Sequence, residues 1–365
     1  MRTIGVEEEF LLVDEEGAPR AVAAAVLQHA SAQDGDDDPD RPGGALEKEF
    51  AEEQVETSTH PCTDLGDLLE QVRAGRWQAD ASARHAGARV AALATSPRTA
   101  DPTVVLNRRA QDIAAVFAQT ARDQLTSGCH VHVEVADDDE GVRVVDHLRR
   151  WNPVLLALSA NSPFWHDEDS GYASFRSQIW GRWPTAGPTA PFGDAATYRE
   201  TVDGLVASGT ILDAGMVYFD ARLSVRYPTV EVRVGDVCLD PADAVLLGAL
   251  VRALAETALG PDTDLGPQPR TEALRVATWR AARSGLDGDL VSPLDGRPVP
   301  AGEAVAALVR HVTPALAAAG DLAWVHEHLA ALLARGNGAS QQRRWRHEGL
   351  GTADLVRRAV ERTHA

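Results

Sequence analysis

TIGVEEEFLLVD, residues 3–14, sets three consecutive glutamates inside an apolar run. On a strand, side chains alternate faces with a period of two. Ile4, Val6, Glu8, Phe10 and Leu12 then share one face, and Gly5, Glu7 and Glu9 share the other. Same-face neighbours lie ~6.5–7 Å apart at a rise of ~3.3 Å per residue. Two carboxylates at that spacing raise each other's pKa or recruit a cation. The stretch therefore reads as half core strand and half acidic platform. Its plain alternative is a strand with one solvated face, because charged side chains are mostly exposed.

With 365 residues, 44% of them hydrophobic, the chain can bury a large core. A net charge of −19 argues against a general nucleic-acid or anionic-membrane binder, both of which need basic patches. Arginine is plentiful, but Lys48 is the sole lysine. The three cysteines, Cys62, Cys129 and Cys238, form no Cys-x-x-Cys pair, which suits a reducing cytoplasm. No signal segment is read at the start of the chain. The longest apolar run, AVLLGALVRALAETAL after Asp243, is interrupted by Arg252 and Glu256 and falls short of the ~20 residues of a membrane helix. A soluble cytoplasmic protein is expected.

Strand-like segments cover 3–13, 45–57, 88–94, 128–135, 217–227 and 229–234, and helix-like segments cover 65–85, 107–122, 142–160, 241–259, 271–284 and several pieces of 303–335. Asp64 and Asp240 make good helix caps, the second followed by Pro241. The acidic runs QDGDDDPD (33–40) and ADDDEG (136–141) lack the spacing of a calcium loop and read as solvated turns. Neither a repeat nor a regular strand–helix alternation is evident. The expected class is α+β, with one largely antiparallel sheet, helices on its outer face, and a helical C-terminal third (about 267–365) within a single domain spanning 1–365.

Three further stretches turn polar ligands to one strand face. Glu56 follows Val55, with Glu49, Glu52 and Glu53 upstream; His130 and His132 alternate against Cys129, Val131 and Val133; Glu231 and Arg233 alternate against Val230, Val232 and Val234. Like charges converging on one sheet face are costly without cations. Carboxylate ligands with open positions favour Mg²⁺ or Mn²⁺, and magnesium commonly accompanies phosphate groups. No G-x-x-x-x-G-K-[ST] loop or dinucleotide fingerprint is present. Phosphates bound here must therefore be neutralised by magnesium and arginine. A metal-dependent amide hydrolase on the same platform is the competing reading, and a non-catalytic binding protein is a third.

Gly5–Glu9, the Val-Glu-Thr at 55–57, GCHVHV (128–133), LALSANSPFW (156–165), FRSQIWGRWPTAGP (175–188), EVRVGD (231–236) and ARGNGASQQR (334–343) together resemble the YbdK-type carboxylate–amine ligases, glutamate–cysteine ligase family 2. The resemblance runs over essentially the whole chain. It implies a glutamine-synthetase-like domain whose curved antiparallel sheet holds magnesium and ATP on its concave face. The implied reaction joins a small carboxylate, glutamate by its γ-carboxyl foremost, to cysteine or another amine through an acyl phosphate. A homodimer is the implied assembly.

Carried onto matching positions, the resemblance implies Glu7, Glu9, Glu56, His132 and Glu231 as metal ligands, Arg233 on phosphate, and Arg176 on the substrate carboxylate. An imidazole in the set makes Mn²⁺ an alternative to Mg²⁺. Glu8 is then expected on the core side, salt-bridged to an arginine beneath. Arg182 and Arg222 read equally as substrate or nucleotide ligands and as partners of surface acids. Glu49 is an acid near the metals or a solvated strand residue, and His130 is secondary to His132. Trp180 and Trp183 wall the pocket or fill the core, and Cys129 falls on the apolar face. Residues 335–342 read as a loop over the substrate or as an ordinary turn between helices.

Overall fold

The structure is a computed structural model that describes residues 1–33, 42–260 and 266–365. The run at 33–40 thus lies outside the described residues beyond Gln33. Among the described residues, seven strands form the main sheet: β1 (Ile4–Val13), β2 (Leu46–Lys48), β3 (Gln54–Ser58), β4 (Arg89–Ala91), β5 (Gly128–Glu134), β6 (Ala221–Leu223) and β7 (Thr229–Asp236). Their order is β2-β3-β1-β5-β7-β6, with β4 also pairing with β1. Every pairing is antiparallel. One edge of β1 is shared, since β5 takes residues 4–8 and β4 takes residues 11–13.

Helices cover one face. Gly248, in the helix Pro241–Leu259, lies where an added methyl would be 3.4 Å from Ile4, 3.5 Å from Leu68 and 3.7 Å from Val6. Leu68 belongs to the helix Leu65–His85, so both helices pack on the Ile4/Val6 side of β1. Glu8 lies on that side too. Its two oxygens accept from Arg76 Nε and Nη2 at 2.9 and 2.6 Å. Arg76 also donates to the carbonyls of Cys238, Leu239 and Thr363. One ion pair thereby ties the first strand, a core helix, the segment after β7 and the C-terminal helix together. Beyond Glu9 both faces of β1 are covered: Phe10 and Leu12 join one apolar cluster, Leu11 and Val13 another.

Three of the expected helices have their expected bounds: Leu65–His85, Pro241–Leu259 and Thr271–Ser284. The first two open on side-chain caps, Asp64 accepting from Gly66 and Asp67 N–H groups and Asp240 from Ala242 N–H. Elsewhere the chain breaks where continuity was expected. Residues 107–122 divide at Ala118, whose φ is +49°. Residues 142–160 divide between Asp138–Leu148 and Asn152–Ser159, where Pro153 lacks an N–H and Arg149 turns inward to the Thr189 and Pro269 carbonyls. Asp137, from the second acidic run, caps the first of these helices.

The expected strand at 45–57 is a hairpin, β2 and β3, reversed at residues 49–53 without glycine or proline to mark the turn. Of 217–227, only Ala221–Leu223 is strand, after a 3₁₀ turn at Ala214–Met216. Helices Ala23–Gln33, Arg176–Trp180 and Ala195–Ala207 carry no pattern that marked them in the sequence, whereas Gly338–His347 and Thr352–Thr363 lie within the C-terminal third expected to be helical. No helix of the described residues is long and apolar enough to cross a membrane.

Candidate active site

Opposite the helices, the sheet lines a cavity of about 1040 Å³. Strand register sets its polar residues in rows, because residues directly paired across antiparallel strands show their side chains on the same face. Glu47, Glu56 and Glu9 form one row across β2, β3 and β1. Glu7 lies between Ser58 and His130 in the next. Gly5, His132, Glu231 and Arg222 make the third. The β5–β7 ladder slips between Cys129 and Val131. This bulge places Arg233 and Val234 opposite His130 alone, the local re-aiming that bulges commonly supply beside functional sites.

Among the described residues, three groups of ligand atoms converge to within 4.8 Å: Glu7, Glu56 and His130; Glu7, His132 and Glu231; and Glu9, Glu49 and Glu56. Glu7, Glu9, Glu56, His132 and Glu231, read separately from the sequence, are thus brought together. His130 joins them on equal terms with His132. Glu49 joins through the β2–β3 hairpin, which folds it back against Glu56. An unbroken strand could not have shown this, and the missing turn residues hid it.

The platform carries excess negative charge. Burial would raise the Glu7 carboxyl, but His132 and His130 outweigh it and hold Glu7 well below the ordinary range. Burial pushes Glu49 up to about 8, with the charge of Glu9 adding to the effect. Burial, Glu49 and Glu7 push Glu56 well above the usual value. Glu231 goes the other way: against its burial, Arg233 and Arg222 hold it strongly ionised. Arg222 grips both Glu231 oxygens at 2.8 and 3.2 Å and donates to the Gly215 and Val217 carbonyls. Arg233 also pairs with Glu231, and its guanidinium lies 5.8 Å from the Trp180 ring and 5.9 Å from the Tyr218 ring.

The residues fit a divalent cation. His132 Nδ1 sits 2.8 Å from Thr229 Oγ1, while the buried Nε2 atoms of His132 and His130 have no hydrogen-bond partner among the described residues. A histidine ligand is commonly held in this way by its other nitrogen. His132 Nε2 lies 3.2 Å from Glu7 Oε1, and His130 Nε2 lies 3.7 Å from Glu9 Oε1. Carboxylate oxygens dominate all three groups, the donor chemistry of Mg²⁺ and Mn²⁺.

Two other expected residues, Arg182 and Arg176, fall outside the cavity wall. Arg182 is half-exposed and 3.7 Å from Asp123, so the surface-acid alternative describes its surroundings. Arg176 does not line the cavity either. It opens a short helix, and its buried side chain lies behind the wall with its guanidinium 5.6 Å from the Trp180 ring. Arg222 does line the cavity, with its donors engaged as above. Trp180 and Trp183 both line it, and Trp183 is also a core residue whose Nε1 donates to Gln124. Cys129 is buried on the apolar side. Residues 335–342 do not reach the cavity; they form a turn into the helix Gly338–His347, capped by Asn337.

Comparison with known proteins agrees with this geometry. The model of the family described as glutamate-cysteine ligase family 2 (GCS2) matches residues 3–362. A Streptomyces avermitilis protein named "Putative glutamate--cysteine ligase 2-1" is 50% identical over 367 residues, covering 100% of this chain and 99% of the relative. Among solved structures, a glutamate–cysteine ligase from Francisella tularensis in complex with AMP superposes with a TM-score of 0.70 at 13% identity, over 100% of this chain and 89% of that one. A bifunctional glutathione synthetase from Pasteurella multocida gives 0.71 at 15% identity, and here the chain spans about half (52%) of the longer protein's length. At such identities the two structures speak for the fold. The family match over nearly the whole length and the relative at half identity establish the lineage: this chain belongs to glutamate–cysteine ligase family 2.

Proposed function

We propose that the protein is an ATP-dependent carboxylate–amine ligase, joining a small acid, glutamate by its γ-carboxyl foremost, to cysteine or another amine. The carrying observation is the convergence of Glu7, Glu9, Glu49, Glu56 and Glu231 with two imidazoles on one wall of a cavity. Its size lies at the upper end of the range for small-molecule sites, with room for a nucleotide beside smaller reactants. Bound by the three ligand groups, divalent ions would neutralise the phosphates of ATP.

The chain's own groups take the other roles. A substrate carboxylate oxygen attacks the γ-phosphorus and ADP leaves, giving an acyl phosphate. The amine then attacks the acyl carbon, phosphate leaves, and the amine gives up a proton. Arg233, held charged by Glu231 and Glu9 against its burial, presents a fixed cation where phosphoryl charge develops. Arg222 positions Glu231 by its two-point grip. Trp180, Trp183 and Tyr218 wall one side of the cavity and limit water, which would otherwise hydrolyse the acyl phosphate.

The test is phosphate release from Mg-ATP across a panel of carboxylates and amines, with mass-spectrometric detection of amide. Stoichiometric ADP, phosphate and amide is the expected result. Turnover that persists without ATP overturns it in favour of a hydrolase.

A further inference from the structure

Several polar motifs of this chain do not touch the cavity, yet they meet directly behind it. Asp236, at the end of β7, is fully buried. Its Oδ2 accepts from the Asn161 backbone N–H at 2.8 Å and from Ser162 Oγ at 2.7 Å, and its Oδ1 accepts from Ser174 Oγ at 2.8 Å. Ser162 Oγ in turn accepts the backbone N–H of Arg176 at 3.0 Å. The Asn161 amide donates to the carbonyls of Ala92 and Val237, and its oxygen accepts from Gln342 Nε2 at 2.7 Å. A methyl on Gly338 would stand 1.9 Å from that same oxygen. The C-terminal motif therefore closes the back of this cluster.

The cluster reaches the platform through Gly128. This residue is the register partner of Asp236, and its N–H donates to Glu9 Oε2 at 2.5 Å. A Cβ on Gly128 would lie 2.4 Å from Arg176 Nη2 and 3.0 Å from His130 Nε2. The bare glycine thus lets the Arg176 guanidinium lie against the strand between the two layers. There Nε has no partner among the described residues, and Nη2 makes only a 3.4 Å contact with the Arg233 carbonyl. A buried guanidinium so thinly bonded depends on nearby opposite charge. Asp236 and Glu9 are the carboxylates that favour its charged form against burial.

We infer that Asp236 is a positioning residue for the metal platform, acting through Arg176 and Gly128 to set where Glu9 presents its carboxylate. The inference rests on the ligase reading only in that Glu9 holds a divalent ion. It assigns the SANS, VGD and C-terminal GNGASQQ motifs to one supporting layer. Arg176 becomes the link of that layer to the site.

The test is Mn²⁺ binding to the full-length protein without nucleotide, followed by loss of the free-Mn²⁺ EPR signal, beside urea unfolding of the same samples. Asp236→Asn is expected to weaken Mn²⁺ binding at least fivefold. In a Glu9→Gln background the same change is expected to have no further effect. Gly128→Ala, which drives a methyl into Arg176, is expected to weaken binding by at least as much, and Ser174→Ala, which removes one contact to Asp236, by about twofold. Should Asp236→Asn fail to fold, the last two variants decide by the same cycle with Glu9→Gln. Wild-type Mn²⁺ affinity in variants of lowered stability, or effects that multiply independently of Glu9→Gln, overturn the inference and leave the ligase reading standing. A wild-type protein that binds no Mn²⁺ without nucleotide overturns the inference, and phosphate release from Mg-ATP still decides the ligase reading.

Discussion

Glu8 and its neighbours Glu7 and Glu9 differ by a single step of the β-pleat, and they live under opposite electrostatic regimes. On the helix side Glu8 meets one guanidinium in a two-point grip, and Arg76 spends its remaining donors on three carbonyls. That site is saturated. On the cavity side Glu7 and Glu9 join Glu49, Glu56 and Glu231, with Arg222 and Arg233 both committed to Glu231. That site is short of positive charge. Burial alone therefore does not mark a functional acid; a buried carboxylate without its own cation does.

The sharpest way to break this contrast is to neutralise each side in turn. On the cavity side Glu7→Gln, Glu9→Gln, Glu56→Gln and Glu231→Gln, together with His132→Ala, should each lower the rate at least ~100-fold, because catalysis by positioned charge loses about that much per group. Glu56→Gln should at the same time raise the stability of the metal-free protein, by relieving the repulsion from Glu49, Glu7 and Glu9. Glu8→Gln should do the reverse, sparing the rate while costing ~3 kcal/mol of stability by leaving Arg76 buried without its counter-charge. Amide formation and urea unfolding on the same preparations decide the matter. A Glu8 essential to rate beside a dispensable Glu7 would mean the faces are misassigned.

Ligand addition should give the next largest effect. Mg-ATP at a hundredfold excess over its dissociation constant should stabilise by ~2.7 kcal/mol, as for any ligand that binds the folded state alone. An unchanged melting curve at saturation would remove nucleotide from the cavity.

The crowded carboxylates also make stability depend on pH. With its carboxyl pushed up to about 8, folded Glu49 keeps a proton that the unfolded chain loses near pH 4.5. The folded state binds more protons in that window, so metal-free stability from this group is full at the acid end and falls as pH rises towards 8. A divalent ion takes the proton's place. Thermal melts in EDTA should therefore decline from pH 6 to pH 8, and the gain from Mn²⁺ should be greater at pH 8. A metal-free protein that grows more stable across this range would contradict the assigned crowding.

The smallest effect is expected at Arg182. Its contact with Asp123 is half-exposed, and surface pairs contribute ~0–1 kcal/mol. Arg182→Ala should change the Michaelis constant of any substrate by less than about twofold, measured by steady-state kinetics with each substrate varied. A tenfold rise for one of them would return Arg182 to the binding site.

Features that depend on neighbours along the chain were legible in the residue order. The pleat period assigns Glu7 and Glu9 to one face and Glu8 to the other, and the structure keeps that assignment. The cap signals at Asp64 and Asp240 place the starts of two core helices, because a cap is satisfied within its own first turn. Tertiary structure alone decided the rest. Glu49 reaches Glu56 only because the chain reverses at a turn without turn residues, and His130 becomes a full member of the platform only through its register with Glu7. Arg176 lies in a motif for which the resemblance implies a contact with substrate. Its depth behind the wall is set by Gly128 and Asp236, 48 and 60 residues away in the chain. Alternation and capping are local interactions that a linear pattern can carry, whereas burial and charge balance at a site depend on distant segments meeting, which the pattern of any one segment does not contain.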